Sequence, residues 1–301
     1  MNADITSIVI NWNLKKETTC CLASLEKSTI TCRTILVDNG SIDGSPKELC
    51  AQFPDIDLIQ LPTNIGFGPA CNLAIQRALQ DPVCEYIFLL NNDARIHPTT
   101  LETLQRSASE YPQAGIFGPI VYDQGIPARI WFAGAHRRYG VLAANTAHRG
   151  KIDRGQFSTS VVDYVFGAAM FIRRQVFENV GFFDERFFLY LEDLDFCLRA
   201  QSAGFSLVFI PKARVWHIGS ASTSHNLALR RYHHIHSSIL FLKKHALRLS
   251  LLPALIYWFL VLLRMVFYDF ISGDLSLLAS YSSALRHGVR ETLVYSNESS
   301  D

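Results

Sequence analysis

Four short apolar runs in the first 90 residues each end in a polar or glycine-bearing loop, and this repeat constrains the fold most. The runs predict strands over Ser7–Ile10, Arg33–Val37, Asp57–Gln60 and Tyr86–Leu90. Helical segments separate them, and strands that alternate with helices are typical of βαβ units. The pattern therefore predicts an α/β fold with a mostly parallel central sheet flanked by helices.

The loops after the first three strands carry residues suited to ligand binding. They are Asn11, Trp12, Asp38, Asn39, Asn64 and Gly66. In an open α/β sheet, ligands bind outside the carboxyl ends of the strands. An aromatic face such as Trp12 stacks on a base, Asp38 is suited to accept from the N–H of a pyrimidine, and Gly66 lets the backbone approach a ligand. We therefore expect a nucleotide site at this edge.

Two of these residues also have a purely structural interpretation. Trp12 is equally consistent with an ordinary aromatic residue of the core, and Asp38 fits an Asx turn. The loop that begins at Asn64 lacks the third glycine of a dinucleotide fingerprint, and no G-x-x-x-x-G-K-[ST] sequence occurs. The sequence therefore disfavours a P-loop NTPase or a Rossmann dehydrogenase.

The fourth strand runs into three consecutive polar residues, Asn91, Asn92 and Asp93. A carboxylate at such a strand end can hold a hard divalent cation, which often bridges to substrate phosphates. His217 follows another apolar run, and a neutral imidazole is able to complete such a metal shell. The alternatives are that residues 91–93 only turn the chain and that His217 is structural.

A second acidic segment lies in an aromatic and aliphatic stretch between Gly181 and Arg199. Glu192 and Asp193 are predicted to begin a helix there, where the helix dipole favours a carboxylate. A partly buried carboxylate at a cleft is what general-base catalysis needs. The alternative is a capped helix with a surface ion pair between Asp195 and Arg199.

Net charge, cysteine content and the N-terminal sequence limit which partners and which cellular compartment we expect. The 301 residues carry a net charge of +1, so no global field favours nucleic acid. The seven cysteines form no C-x-x-C pair, which favours free thiols in a reducing compartment. The N-terminus lacks a basic region and a long apolar run, so we expect a cytoplasmic location.

The C-terminal region is predicted as a helical appendage over residues 226–301, following a catalytic domain over residues 1–225. Residues 230–248 hold five Lys or Arg and no acid, and Leu249–Leu263 is almost wholly apolar. Basic residues beside an apolar helix with Tyr257 and Trp258 favour an interfacial contact with a membrane surface. The alternatives are packing on the catalytic domain or on a second subunit in a homodimer.

Taken in order, these motifs resemble one known family. The ordered set consists of Ile8–Asn13, Val37–Ser45, Asn64–Gly68, Leu89–Ala94, Gly167-Ala168, Phe183–Phe188, Glu192-Asp193 and Trp216-His217. Over about residues 5–245 the chain resembles an inverting GT-A-fold glycosyltransferase of family 2, in the rhamnosyltransferase branch. Each motif is weak alone, whereas the ordered set is specific.

The resemblance implies a role for each matching position. Asn11, Trp12, Asp38 and Asn64 would line the nucleotide pocket. Asp93 matches the last residue of the family's D-x-D motif, which binds Mg²⁺ or Mn²⁺, and His217 matches a histidine that completes the metal shell. Asp193 matches the catalytic base, with Glu192 as its supporting partner. The chain departs from the pattern at Asn91, the first D-x-D position, and at His236, where the branch has arginine.

The resemblance further implies transfer of a sugar from a nucleotide-sugar donor to a lipid-linked or cell-surface polysaccharide acceptor. The branch favours rhamnose from dTDP-rhamnose. The N-terminal sequence and the basic, apolar C-terminal region together predict an enzyme peripheral at the cytoplasmic face of the inner membrane. UDP-hexose transfer and a non-catalytic sugar-nucleotide-binding module are the alternatives. A nucleotidyltransferase would need a basic Gly-rich phosphate loop, which Asn11–Thr18 does not provide.

Overall fold

The central feature of the chain is a single mixed sheet with helices on its faces. The structure, a computed structural model, describes residues 4–126, 128–136, 148–219, 227–245, 251–271, 277 and 280–288. In these ranges ten strands form the sheet, with the order β3-β2-β1-β4-β9-β6-β10-β5 and with β7 and β8 at its side. The predicted α/β architecture is confirmed.

The strands and helices have the following bounds. The strands are β1 (Ile5–Asn11), β2 (Arg33–Asn39), β3 (Asp57–Leu61), β4 (Tyr86–Asn91), β5 (Ala94–Ile96), β6 (Ala114–Asp123), β7 (Ile130–Phe132), β8 (Ser160–Val162), β9 (Ala169–Arg173) and β10 (Ser206–His217). The helices are α1 (Lys15–Glu26), α2 (Ser45–Gln52), α3 (Phe67–Leu79), α4 (Thr100–Glu110), α5 (Arg174–Val180), α6 (Glu192–Ser202), α7 (Leu227–His245) and α8 (Leu251–Ile271). Residues 280–288 are also helical.

The first four strands pair in parallel, as their sequence predicts. Strand β1 lies between β2 and β4, and β3 borders β2. The register aligns Asn11 with Asp38 and Ile10 with Asn91. All three polar strand ends therefore meet at one edge of the sheet, where a ligand site was expected.

The second half of the sheet is mixed, so parallel pairing is confined to β1–β4 and the β6–β10 pair. Strand β9 lies antiparallel between β4 and β6. The apolar stretch Val161–Ile172 forms β8 and β9 with a loop between them. Strand β10 extends as far as His217, which brings that histidine beside β5.

Aromatic side chains fill the core between the sheet and its helices. Phe171 on β9 contacts Phe88 on β4 and Phe117 on β6, with ring centroids 6.4 and 6.3 Å apart. All three side chains are fully buried. This packing explains why a strand of opposite direction is accommodated in the middle of the sheet, because its side chains complete the apolar layer.

The C-terminal helices extend from the catalytic unit but remain attached to it. The domain boundary predicted at residue 225 lies outside the described residues. Beyond it, Phe241 of α7 is buried within the main core cluster, and the hydroxyl of Ser237 donates to the carbonyl of Leu189 at 2.8 Å. Among the helices of the described ranges, none is both long and apolar enough to cross a membrane.

Candidate functional site

A cavity of about 300 Å³ lies at the carboxyl edge of the sheet. All but two of the site residues predicted from sequence line it. They are Trp12, Asn39, Asn64, Gly66, Asn92, Asp93, Glu192, Asp193 and His217. These residues come from the ends of β1, β2, β4 and β10 and from the start of α3 and α6, so the fold gathers parts distant in sequence into one site.

Asn11 and Asp38 are the two predicted residues that lie behind the cavity wall. Both are fully buried, and the Nδ2 of Asn11 donates to Asp38 Oδ1 at 2.8 Å and to Ser45 Oγ at 2.7 Å. Asp38 also accepts from the backbone N–H of Ser41 at 3.1 Å. In this arrangement the pair supports the β2–α2 loop. A contact between Asp38 and a base remains a prediction that requires these bonds to open.

Three loop residues shape the nucleotide side of the cavity. Asn39 donates to Asn64 Oδ1 and to the carbonyl of Gly66, each at 3.0 Å. Gly66 has φ of 99° and begins α3. A Cβ at Gly66 would lie 2.7 Å from the carbonyl oxygen of Phe188. The glycine is therefore required by the approach of the Phe188 backbone, and not only by a ligand as the sequence suggested.

Asp93 and His217 meet at the opposite wall. The Nε2 of His217 lies 3.0 Å from Asp93 Oδ1, and Asp93 Oδ2 accepts from the N–H of Gly219 at 3.2 Å. Both side chains are buried. The antiparallel pairing of β5 with β10, which aligns His217 with Ala94, produces this contact. Sequence reasoning had paired the two residues only through the family resemblance.

The residues around Asp93 fit a divalent cation. Carboxylate and imidazole are both ligands of divalent cations, and these two side chains lie 3.0 Å apart at the cavity wall. The Oδ1 of Asn91 is buried beside them without a hydrogen-bond partner. Within the described ranges no three His, Cys, Asp or Glu side chains gather as a complete shell. A bound ion would thus draw its other ligands from substrate phosphates and water.

A strained turn presents the two predicted catalytic carboxyls. Tyr190 and Leu191 both have left-handed backbone conformations, with φ of 70° and 68°. Such conformations in residues other than glycine are costly and are often found at functional sites. Leu191 caps the N-terminus of α6, so Glu192 and Asp193 occupy its first turn, where the helix dipole favours negative charge.

Asp193 is held by three hydrogen-bond donors. Its Oδ2 accepts from the hydroxyl of Tyr164 at 2.5 Å and from the N–H of Gly167 at 2.8 Å. Its Oδ1 accepts from the N–H of Leu194 at 2.7 Å. Burial raises the pKa of Asp193 above its ordinary value, while these hydrogen bonds oppose that shift by stabilising the carboxylate.

Glu192 has the opposite surroundings. Its Oε2 is buried and has no hydrogen-bond partner. Burial, and then the neighbouring charge of Asp193, raise the pKa of Glu192 well above its ordinary value. When only one of two adjacent carboxyls accepts several hydrogen bonds, that carboxyl is more readily ionised and the other more readily holds a proton. The arrangement therefore places the proton on Glu192 and the negative charge on Asp193.

The structure adds cavity residues that the sequence analysis missed. Tyr164 and Phe166 come from the β8–β9 loop, Phe188 precedes α6, and His234 lies on α7. His234 is a neighbour of His236, the position at which the family resemblance had indicated a departure. No local pattern distinguishes Tyr164, because its partner Asp193 is 29 residues away in the chain.

Comparison with known proteins identifies relatives over most of the chain. The profile of glycosyl transferase family 2 matches residues 6–181. An N-acetylglucosaminyl-diphospho-decaprenol L-rhamnosyltransferase from Mycobacterium tuberculosis is 31% identical over 242 residues, which are 73% of this chain and 78% of that relative. The dTDP-rhamnosyl transferase RfbF from Shigella flexneri is 25% identical and covers 83% of this chain and 84% of its own.

Solved structures share the fold. A mannosyltransferase from Pyrobaculum calidifontis, in complex with GDP-Man and Mn²⁺, superimposes with a TM-score of 0.59 at 16% identity, over 95% of this chain and 80% of its own. TarS from S. aureus in complex with UDP gives 0.52 at 18% identity, over 70% and 59% of the two chains. The expected GT-A glycosyltransferase fold is thereby confirmed. Together with the profile match and the rhamnosyltransferase relatives, this establishes that the chain is a member of glycosyl transferase family 2.

Proposed function

We propose that this enzyme transfers rhamnose from dTDP-rhamnose to a lipid-linked or polysaccharide acceptor, with inversion at the anomeric carbon. The observation that carries the proposal is a buried carboxylate, Asp193, held by three donors in the wall of a cavity that Asp93 and His217 also line. The names of two relatives support the choice of sugar and, in one case, the lipid-linked class of acceptor.

In the proposed reaction Asp193 acts as the general base. It accepts the proton of an acceptor hydroxyl while that oxygen forms a bond to the anomeric carbon of the donor. The bond between the anomeric carbon and the phosphate oxygen breaks, and its electron pair leaves with the nucleoside diphosphate. One displacement from the face opposite the leaving group inverts the configuration. Glu192, which keeps its proton, does not compete as a base.

Asp93 and His217 are the residues that would hold Mg²⁺ or Mn²⁺. When bound, the cation supplies positive charge that stabilises the leaving diphosphate. The mannosyltransferase named above was solved with Mn²⁺, which supports a divalent ion without selecting one. Asn39, Asn64 and Trp12 line the cavity on the side of β1 and β2, where we place the nucleotide.

A UDP-hexose is the second candidate donor. Its support is the structural likeness to TarS, which was solved with UDP and with UDP-GlcNAc. A non-catalytic binding module with the same fold is the third candidate, which the replacements at Asn91 and His236 would allow. The hydrogen-bonded state of Asp193 argues against it, because a binding module has no need for an oriented buried base.

Ligand-induced thermal shifts distinguish these candidates. Purified protein is tested with dTDP, UDP, GDP and their sugars, each with Mn²⁺, Mg²⁺ or EDTA, beside the variant Asp93→Ala. The proposal predicts a metal-dependent rise in melting temperature with dTDP and dTDP-rhamnose that is lost in Asp93→Ala. A rise in melting temperature with UDP-sugars alone would show that the donor is a UDP-sugar and not dTDP-rhamnose. No shift with any nucleotide would contradict the proposed function.

The proposed place of action is a membrane surface, which a lipid-linked acceptor would require. Large apolar side chains are exposed along α8 at helical spacing, and they are Ile256, Phe259, Leu260, Leu263, Phe267, Phe270 and Ile271. An exposed apolar stripe beside basic residues is typical of interfacial helices. By this argument we place the enzyme at a membrane surface, and the cytoplasmic face of the inner membrane remains the prediction made from the sequence.

Co-sedimentation with lipid vesicles tests this location. The intact protein should sediment with anionic vesicles, and a variant with Phe259→Asp and Leu263→Asp should remain in the supernatant. Light scattering without lipid measures the oligomeric state of both proteins. If the intact protein is a dimer that ignores vesicles and the variant is a monomer, the stripe is a homodimer interface and the membrane proposal is wrong.

A further inference from the structure

Two donors from the loop between β8 and β9 converge on one carboxylate oxygen of α6. From this loop the hydroxyl of Tyr164 and the backbone N–H of Gly167 both donate to Asp193 Oδ2, at 2.5 and 2.8 Å. An ionised carboxylate oxygen has about two favourable acceptor positions. Both positions on Oδ2 are therefore occupied by the protein itself.

Contacts other than the bond to Asp193 hold Tyr164 in place. Its side chain is buried, and its ring packs edge-on against Phe132 with centroids 5.5 Å apart. The backbone N–H of Tyr164 donates to the carbonyl of Ala135 at 3.2 Å, and that of Asp163 donates to the same oxygen at 2.9 Å. Packing and backbone bonding thus aim the hydroxyl at a fixed point, which is the condition for an oriented catalytic group.

Gly167 lacks a side chain, and this absence makes room for the side chain of Asp193. A Cβ at this position would lie 2.7 Å from Asp193 Oδ2 and 2.9 Å from Asp193 Cβ. The backbone of Gly167 does not have a positive φ, so any L-residue can adopt its conformation. The requirement for glycine here therefore comes from Asp193 and not from the backbone.

We propose that Tyr164 and Gly167 form a clamp that orients the general base, holding Oδ2 of Asp193 so that Oδ1 receives the proton of the acceptor hydroxyl. This inference rests on the proposed function. Oδ1 accepts from the N–H of Leu194 at 2.7 Å, and it is the oxygen that Tyr164 and Gly167 leave for the acceptor hydroxyl. Tyr164 and Gly167 act through Asp193, so they are positioning residues.

The clamp also favours the ionised form of a buried carboxylate. Burial raises the pKa of Asp193, and the hydrogen bond from Tyr164 is the largest effect that lowers it. Burial, and the negative charge of Asp193, in turn raise the pKa of Tyr164 well above its ordinary value. The hydroxyl therefore remains a donor over the whole range in which the base titrates.

The first test removes one hydroxyl and keeps the ring. Tyr164→Phe should lower kcat about tenfold or more, since a hydrogen bond to a charged group is lost, with little change in KM for the donor. The acidic limb of the kcat/KM profile should move about one unit to higher pH, because the carboxylate has lost a stabilising donor. Tyr122→Phe is the matched control, as its hydroxyl donates to Asp153 at 2.6 Å outside the cavity.

The second test displaces the base without removing a donor. Gly167→Ala should lower kcat strongly, whereas Gly125→Ala, where a Cβ meets nothing within 4 Å, should behave as the unaltered enzyme. Tyr164→Phe should cause no further loss in an Asp193→Asn background, because residues that act as one unit are not additive. A merely structural role for Tyr164 would give a loss that adds to that of Asp193→Asn.

A measurement independent of turnover separates this inference from the proposed function. The pH dependence of unfolding, compared in a Glu192→Gln background between each protein and its Asp193→Asn form, reports the pKa of Asp193, and Tyr164→Phe should raise it. If the enzyme transfers no sugar while this shift is seen, the proposed function is overturned. If the enzyme transfers sugar, the kcat/KM pH profiles and the pKa of Asp193 are compared between Tyr164→Phe and the Tyr122→Phe control. Equal profiles and equal pKa values would overturn the clamp.

Discussion

Two neighbouring carboxyls in the first turn of α6 differ in their surroundings, and this difference supports the different roles proposed for them. The Asp193 carboxylate accepts from Tyr164, Gly167 and Leu194, whereas Oε2 of Glu192 is buried without a partner. The donors stabilise charge on Asp193, whereas burial and the charge of Asp193 raise the pKa of Glu192. The sequence shows two adjacent acids in one motif, and only the contacts distinguish the proposed base from its neighbour.

Amide substitutions at these two positions should therefore have unequal effects. Asp193→Asn removes the base and should lower kcat by about 10²–10⁴. Glu192→Gln resembles the protonated acid that is already present and should keep kcat within about tenfold. It should also stabilise the protein increasingly as pH rises above the ordinary value of 4.5, because keeping Glu192 protonated in the fold costs free energy there.

Steady-state kinetics and chemical unfolding at several pH values check this pair of variants. The assignment is wrong if Glu192→Gln loses as much activity as Asp193→Asn, or if it destabilises the protein at neutral pH. Circular dichroism of both variants serves as the control for folding.

At the same scale, the site residues that are predictable from sequence are those whose role follows from their place at a strand or helix end. Asp93 and Asp193 belong to this class. Asp38 appears equally suited to a ligand by sequence, yet its carboxylate is fully buried against Asn11. Tyr164 gives no signal, because its function depends on a contact across 29 residues.

Among the elements, α6 and α7 are joined through one buried carboxylate. Asp195 pairs with Arg199 on its own helix, and with Lys244 and His245 on α7, each at 2.8 Å. These interactions outweigh burial, so the pKa of Asp195 is lowered. A buried carboxylate that pairs with partly buried cations on both helices keeps α7 against the helix that carries Glu192 and Asp193.

Asp195→Asn should accordingly destabilise the protein by about 3 kcal/mol, because the partly buried guanidinium of Arg199 loses its carboxylate partner and Lys244 loses one of two. The matched control is Glu48→Gln, which breaks the exposed Lys15–Glu48 pair and should cost less than about 1 kcal/mol. Urea unfolding followed by fluorescence measures both. Equal effects of the two substitutions would show that Asp195 does not attach α7.

Helix α7 should also respond to acid. Burial lowers the pKa values of His233 and His234 to about 4, with further lowering by the charges of His236, Arg230 and Arg231. Since these values lie below the ordinary 6.5, the two histidines favour the folded state above that pH. Their contribution is lost as pH falls towards 4.

A double variant, His233→Gln with His234→Gln, isolates this effect, since Glu192 and Asp193 titrate in both proteins and cancel in the difference. The free energy of unfolding of the parent should fall relative to the variant between pH 6.5 and 4. A constant difference across that interval would contradict the lowered pKa values.

Element order was largely predictable, whereas pairing direction was not. The helices and strands up to β4 follow from apolar runs and turn residues, and the structure confirms them with shifts of a few residues. Strand β5 was missed because Ala94–Ile96 is too short to show a pattern. The antiparallel entry of β9 was missed because the direction of a strand depends on the whole path of the chain.

At the scale of the whole molecule, the two halves of the sheet have different tasks. The parallel half, β1–β4, provides the wall with Trp12, Asn39 and Asn64, together with the strand end that carries Asp93. The mixed half provides Asp193 through α6 and His217 through β10. Since α7 contributes His234 to the same cavity, the site requires the chain beyond residue 226.

The configuration of the product tests the central claim most directly. Intact protein, dTDP-rhamnose, Mn²⁺ and an N-acetylglucosaminyl-diphospho-polyprenol acceptor are combined, and the anomeric centre of the product is assigned by NMR. The account predicts rhamnosyl transfer with inversion, lost in Asp193→Asn although that variant still binds the donor. Retention of configuration, or equal transfer by Asp193→Asn, would contradict a single displacement in which Asp193 is the base.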